Sequence, residues 1–289
     1  MKKSILALAV ALSITACERE NEDQAKAGID IVIPSDTIRN HTTIHFVCSP
    51  YSIRSMTRSA LSYLSLTDLW IFDYIGDELQ ATTHQSSSDA VFGLPSVDLD
   101  FGTHTLYFVA SRGDTPSIDG HHILWSRPSD TFWKTITLTV APQTPTTQSV
   151  VLERVVTRLR IAATDEVPAT LSKLTITPAR WYYGIDYITS EPVSPQQTPR
   201  SVSVPSSYIG TTGNLAMSIY GFCSVDGFTT DVIVSAQDAT DADIANITLS
   251  DVPLERNRIT NYSGSIFTAG RSISISADDE WNEEYNVTW

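Results

Sequence analysis

Long apolar runs are scarce in this chain of 289 residues, and so are cysteine, methionine and lysine. Beyond the first seventeen residues no stretch approaches the roughly 20 apolar residues of a membrane-spanning helix. No long stretch repeats apolar residues every 3.6 positions, so helical bundles and coiled coils are excluded. Basic residues are also few, with 19 Lys and Arg against 33 Asp and Glu and a formal net charge of −14. Nucleic-acid binding needs cations to neutralise phosphates, so no nucleic-acid partner is expected. Docking by charge on anionic lipid is excluded for the same reason. Three cysteines are too few for a disulfide framework.

Enzymatic signatures are missing as well. There is no Gly-rich phosphate loop, no nucleophile elbow and no HExxH motif. His41, His45, His84, His104, His121 and His122 are dispersed. His121 and His122 are adjacent, and neighbours on a strand point to opposite faces, so a single metal would need a turn there; the pair reads as a loop. The acidic run Asp278-Asp279-Glu280 and Glu283-Glu284 contains no calcium loop and reads as a solvated edge that discourages stray strand pairing. The expectation is a non-enzyme with no cofactor and no metal.

What the chain does have is Ser, Thr, Val, Ile and aromatics, a composition that favours strands. Short alternating runs recur between Gly, Pro, Asp and Ser. Ile29–Ile33 is a strand candidate. Thr43–Cys48 is another, with Ile44, Phe46 and Cys48 on one face. Leu64–Asp73 starts by alternating and becomes wholly apolar, as an interior strand does, and closes at the turn Gly76-Asp77. Thr103–Ser111 and Trp133–Val140 alternate throughout. Residues 171–177, 214–222, 230–235, 245–249, 260–267 and 272–276 continue the texture of an all-β sandwich fold. Ala141–Thr147 is a candidate boundary. Val150–Ile161 is long enough to end one sheet and start the next. Val151-Leu152-Glu153-Arg154 echoes Pro253-Leu254-Glu255-Arg256, which raises the possibility of a duplicated fold. Cys48 and Cys223 sit in apolar stretches and read as two buried thiols, although an oxidising compartment would permit a disulfide.

The N-terminus carries its own signal. Lys2 and Lys3 precede an apolar run from Ile5 to Leu12, and Ile14-Thr15-Ala16-Cys17 follows. These are the parts of a secretory signal, and the cysteine after small residues resembles a bacterial lipoprotein signal. That resemblance implies lipidation, with palmitate among the acyl groups, at Cys17. Residues 18–28 are polar and charged and read as a flexible tether. Glu18, Glu20, Glu22 and Asp23 resemble signals that send lipoproteins to the outer face of the outer membrane.

Taken in order, these segments resemble the fimbrillin-type subunits of Bacteroidales type V pili. The similarity rests on the signal ending at Cys17 and on Thr57-Arg58 ahead of the strand that runs through Phe72-Asp73 to Gly76. It rests also on the arginine-bearing segment Leu152–Ile161, and on Val252–Thr260 with Gly264, Phe267-Thr268 and Trp281. The resemblance implies two transthyretin-like β-sandwich domains in tandem, at 29–150 and 151–289, after the 1–17 signal and the 18–28 tether. It implies that an Arg- or Lys-specific, trypsin-like protease removes the first strand by cutting after Arg58, Arg54 or Arg39. A neighbour's terminal strand would then fill the groove by β-strand addition. Ile273, Ile275, Tyr285, Val287 and Trp289 are the candidate donor anchors. Other pilus subunits and the outer membrane, held through the lipid on Cys17, would be its partners, and the fimbrium at the cell surface its location.

Two alternatives stand beside a polymerising, adhesive shaft subunit. One is a membrane-retained anchor or a tip subunit of the same pilus. The other is a surface glycan-binding lipoprotein, for which Trp125 and Trp181-Tyr182-Tyr183-Gly184 would be the stacking aromatics if exposed, and core aromatics if not.

Overall fold

Strict alternation of apolar and polar residues builds a half-buried strand, and it does so here from the first described element onward. The structure, a computed structural model, describes residues 41–49 and 65–268 and the backbone of 273–278. In β1 (His41–Ser49) the side chains of Ile44, Phe46 and Cys48 are 0–1% exposed. β1 lies in the middle of a three-stranded sheet. It is antiparallel to β4 (Ser96–Asp100) and parallel to β9 (Thr147–Val151). The facing sheet has the order β10 (Glu153–Arg154), β8 (Thr131–Val140), β5 (Gly102–Ser111), β2 (Asp68–Ile75) and β3 (Glu78–Ser86), all antiparallel. Between the sheets lies a core that includes Phe46, Leu69, Ile71, Leu106, Phe108 and Phe132.

A second sandwich follows with the same wiring. β11 (Val156–Ala163) is antiparallel to β16 (Ala216–Phe222) and parallel to β19 (Ile259–Gly264). Its facing sheet has the order β15 (Arg200–Ser203), β12 (Lys173–Pro178), β17 (Phe228–Gln237) and β18 (Asp243–Leu254). Matching β1, β2, β3, β4, β5, β8 and β9 to β11, β12, β15, β16, β17, β18 and β19 preserves sequence order, neighbours and strand sense. The Leu-Glu-Arg echo is not the trace of this repeat. Its first copy follows β9, and its second lies between β18 and β19.

The two copies differ by insertions, and the insertions meet. β6 (Ser117–Asp119) and β7 (His122–Leu124) interrupt the first sandwich; β13 (Trp181–Asp186) and β14 (Pro192–Gln196) interrupt the second. They join as one sheet in the order β14-β13-β7-β6. This sheet explains why β2 is buried on both faces. Leu69 and Ile71 face the first core, while Trp70, Phe72 and Tyr74 belong to a third cluster with Trp125, Tyr187 and Phe222. Gly184 is required there, because a Cβ would lie 2.4 Å from Leu124 and 2.6 Å from the Ile123 carbonyl oxygen. All described residues belong to one compact unit.

The expectation of an all-β fold is met, and most strand readings fall within two or three residues of the observed bounds. The candidate boundary Ala141–Thr147 is a turn and loop inside the first sandwich up to Thr146, and Thr147 opens β9, which pairs with β1. β20 (Ile273–Asp278) adds to the edge of the second sandwich, antiparallel to β19. Among the described residues no strand pairs with the corresponding edge of β9.

Candidate strand-exchange groove

β1 is held on both sides. Toward β4, the Phe46 and Cys48 amides donate to the carbonyls of Pro95 and Gly93 at 2.9 and 3.0 Å. Toward β9, the His45 amide donates to Thr146 at 2.7 Å, and the Leu152 amide donates to Ser49 at 2.8 Å. Thr43 Oγ1 donates to Asp98 Oδ1 at 2.5 Å, and His45 Nδ1 lies 2.7 Å from Ser96 Oγ. Below, the Phe46 ring meets Phe108 edge-on at 5.2 Å. If β1 were absent, the space between β4 and β9 would be a slot one strand wide. Its floor would be Val97, Leu99, Phe108 and Val150, each no more than 5% exposed. With one antiparallel and one parallel neighbour, the slot presents unpaired backbone groups to a strand of either direction.

The segment that joins β1 to β2 carries Arg54 and Arg58. Those residues, with Cys17, Arg39, Tyr285, Val287, Trp289 and the strand candidate Ile29–Ile33, lie outside the described residues. Arg39 precedes β1 in sequence, and Arg54 and Arg58 follow it, so only cuts after the latter two would detach β1 from the rest of the chain. Ile273 and Ile275 are in β20, opposite Gly264 and Tyr262.

Residues 108–289 match the model of a family of unknown function, DUF6562. The chain belongs to the DUF6562 family. No curated protein matches it. Solved structures that share its fold include the following three. A candidate cell adhesion protein from Bacteroides ovatus is 13% identical at a TM-score of 0.52, covering 83% of this chain and 98% of its own. A candidate adhesin from the same organism is 14% identical at 0.50, covering 86% and 96%. A candidate polysaccharide-binding protein (DUF1812) from Bacteroides thetaiotaomicron is 11% identical at 0.50, covering 82% and 98%.

In this DUF6562 chain Trp125, Trp181 and Tyr183 take the core alternative left open for them and form no exposed stacking surface. Trp125, Trp181 and Tyr183 are 1–3% exposed. Trp181 lies against Gly221 and donates from Nε1 to the Tyr220 carbonyl at 2.8 Å. Tyr182 is half-buried against Phe228. Cys48 and Cys223 are separate free thiols, and burial pushes both up to about 12. His121 lies at the turn between β6 and β7, and His122 Nε2 is 3.9 Å from Asp186 Oδ2. No metal-binding cluster occurs among the described residues.

Sequence reading gave no role to the polar contacts within the sandwiches and, through Arg154 and Asn257, between them. Arg154, 3% exposed, donates from Nε and Nη2 to both oxygens of Asp130 at 2.6 and 3.1 Å. It also donates from Nη1 to Asn257 Oδ1 at 2.9 Å. Arg256 donates to the carbonyls of Cys223 and Ser190 at 2.8 and 2.6 Å. Asp165 accepts from the backbone amides of Ile266, Phe267 and Thr268 at 2.7–2.9 Å, just ahead of β20. Burial pushes the Asp165 carboxyl up, but these hydrogen bonds outweigh it and hold its pKa below the ordinary value.

Proposed function

We propose that this chain is a non-enzymatic subunit of a cell-surface fimbria that serves adhesion. It is exported as a lipoprotein through Cys17 to the outer membrane and assembled by strand exchange. The observation that carries this reading is the position of β1. It is the central strand of a small sheet, and it is joined to the rest of the fold only through the segment holding Arg54 and Arg58. An Arg-specific cut at either residue makes a buried strand a removable one. Tyr285, Val287 and Trp289 repeat the two-residue spacing of Ile44, Phe46 and Cys48, so a neighbour's C-terminal segment has the pattern to replace it. The pairing of β20 with β19 favours a donor made of the last residues, with Ile273 and Ile275 staying at home. The two sandwiches would be separate domains, 29–150 and 151–289, with the end of β9 and β10 (Glu153–Arg154) reaching back into the first.

The test is the N-terminus of native subunits recovered from the cell surface, together with their behaviour in detergent. Detergent-resistant ladders whose subunits begin at Ser55 or Ser59 are expected. Polymers whose subunits still contain 41–49, from a start at Cys17 or Asn40, would overturn the mechanism.

A further inference from the structure

The outer face of the β10-β8-β5-β2-β3 sheet is only half covered. Over its upper part the insertion sheet closes down. Tyr187 stacks on Phe72 at 3.8 Å with 6° between the rings, and Trp133 Nε1 donates to the Tyr187 carbonyl at 2.7 Å. Over its lower part nothing described lies on top. There the outward positions pair across the strands as Tyr107 with Thr135, Thr105 with Thr137 and Thr103 with Thr139. Thr103, Thr135, Thr137 and Thr139 are exposed, and Thr105 and Tyr107 are half-buried. The result is a ledge whose floor is rows of threonine hydroxyls.

Behind half-buried Tyr107 lie the buried rings of Tyr74 and Tyr187, with exposed His121 beside them. Tyr74, Tyr107, His121 and Tyr187 gather with ring centroids 5.6–6.1 Å apart in successive contacts. The hydroxyls of Tyr74 and Tyr187 are 2.9 Å apart. Burial, then the neighbouring Tyr74, Asp186 and Asp77, raise the pKa of Tyr107 above its ordinary value, so its hydroxyl stays a neutral donor. No Lys or Arg stands at any of these positions.

We infer that this ledge is a binding site for a neutral saccharide. The apolar C–H face of a pyranose packs on an aromatic ring, while its hydroxyls need a dense set of short donors and acceptors. Tyr107 at the corner supplies the ring, and the threonine rows supply the hydroxyls. Asp77 and Asp186, whose charges act on Tyr107, disfavour acidic sugars. The inference deepens the adhesive role proposed above by naming the ligand class. It uses aromatics other than Trp125 and Trp181–Tyr183, which are committed to packing.

The experiment is saturation-transfer NMR on the intact chain from Glu18, with neutral glucose, galactose, mannose and N-acetylglucosamine oligosaccharides and with polygalacturonate as the acidic comparator. Transfer to at least one neutral glycan and none to polygalacturonate is expected. Tyr107→Ala should weaken binding at least tenfold, Tyr107→Phe by no more than about threefold, and Tyr182→Ala not at all. Thr137→Arg, at an exposed position, blocks the ledge without touching the core and should abolish transfer even if Tyr107→Ala fails to fold. Absence of transfer to every neutral glycan, or binding that survives Thr137→Arg, overturns the inference. Detergent-resistant ladders scored on the same variants separate the two ideas. A chain that binds sugar and never polymerises sinks only the fimbrial reading, and one that polymerises without binding sinks only this one.

Discussion

Cys48 should report the release of β1. In the intact chain its side chain is fully buried, and burial pushes the thiol up to about 12. At pH 8 roughly one thiol in 10^4 is then a thiolate, against about a quarter for an ordinary cysteine near 8.5, so chemistry alone slows alkylation by about 10^3. Cutting the chain after Arg58 does not change this. Ile44 and Phe46 each bury a whole side chain, worth about 1.5–3 kcal/mol, and Cys48 contributes about 1 more. The sum, roughly 4–7 kcal/mol, favours the seated strand by about 10^3 to 10^5 before its backbone hydrogen bonds are considered. Release therefore needs a replacement. The assay is iodoacetamide labelling at pH 8, followed by mass spectrometry of the peptide containing Cys48. The cut protein is compared with and without a synthetic peptide corresponding to 281–289. Labelling of Cys48 should stay at the level of the uncut chain until the peptide is added and then rise by at least 10^3, while Cys223 stays protected throughout. Equal labelling of Cys48 with and without the peptide would refute the idea that the C-terminal segment displaces β1.

Three further outcomes follow from the same geometry. Arg154→Ala leaves the buried Asp130 carboxylate without its guanidinium and should cost about 3–5 kcal/mol, read as a lowered urea midpoint; an unchanged midpoint would show that the tether between the sandwiches contributes nothing. Gly221→Ala places a Cβ 2.5 Å from Trp181 Cε2 and Nε1, so the ring must move. The cost should be about 1–3 kcal/mol, with a red-shifted tryptophan emission, and Trp181→Phe in the same chain should recover part of it. Asp165 has a depressed pKa, so its contribution is fully present above the unfolded value near 4 and is lost as pH falls through the lower folded value. The amide resonances of Ile266, Phe267 and Thr268 should titrate together below about pH 4, and they should be insensitive to pH there in Asp165→Asn.

Strands that alternate, and whose buried face meets one core, were legible in the sequence. Thr103–Ser111 and Thr43–Cys48 were read almost to their true ends because each has one apolar face. β3 was not read at all. Its run Glu-Leu-Gln-Ala-Thr-Thr-His-Gln-Ser has no apolar face, because an edge strand with most of its residues exposed needs none. β14 carries Pro192 and Pro195, which argue against a strand by local rules, yet at a sheet edge their missing donors cost little. The Leu-Glu-Arg echo points to a duplicated fold but marks the wrong segments, because the repeat is one of connectivity. The two copies place their insertions at different points, so no residue pattern recurs at a fixed period.

The candidate sites divide along the same line. The groove could be anticipated, because the alternation of Ile44, Phe46 and Cys48 and the arginines downstream are local features of the chain. The saccharide ledge could not. Tyr74 and Tyr187 share a hydrogen bond although 113 residues separate them, and His121 and Tyr107 come from two further strands or turns. Local reading leaves Trp181-Tyr182-Tyr183 open as stacking or core aromatics, and consecutive residues on a strand alternate between its faces. Trp181 and Tyr183 therefore go together into the second core, and Tyr182 goes to the other side. An outward aromatic set among polar side chains has to be assembled across strands, where cross-strand neighbours share a face. Tyr107 meets that condition. It faces outward beside exposed Thr135, half-buried against Tyr74 and Tyr187, so the proposed saccharide site turns on Tyr107 more than on any of the six tryptophans.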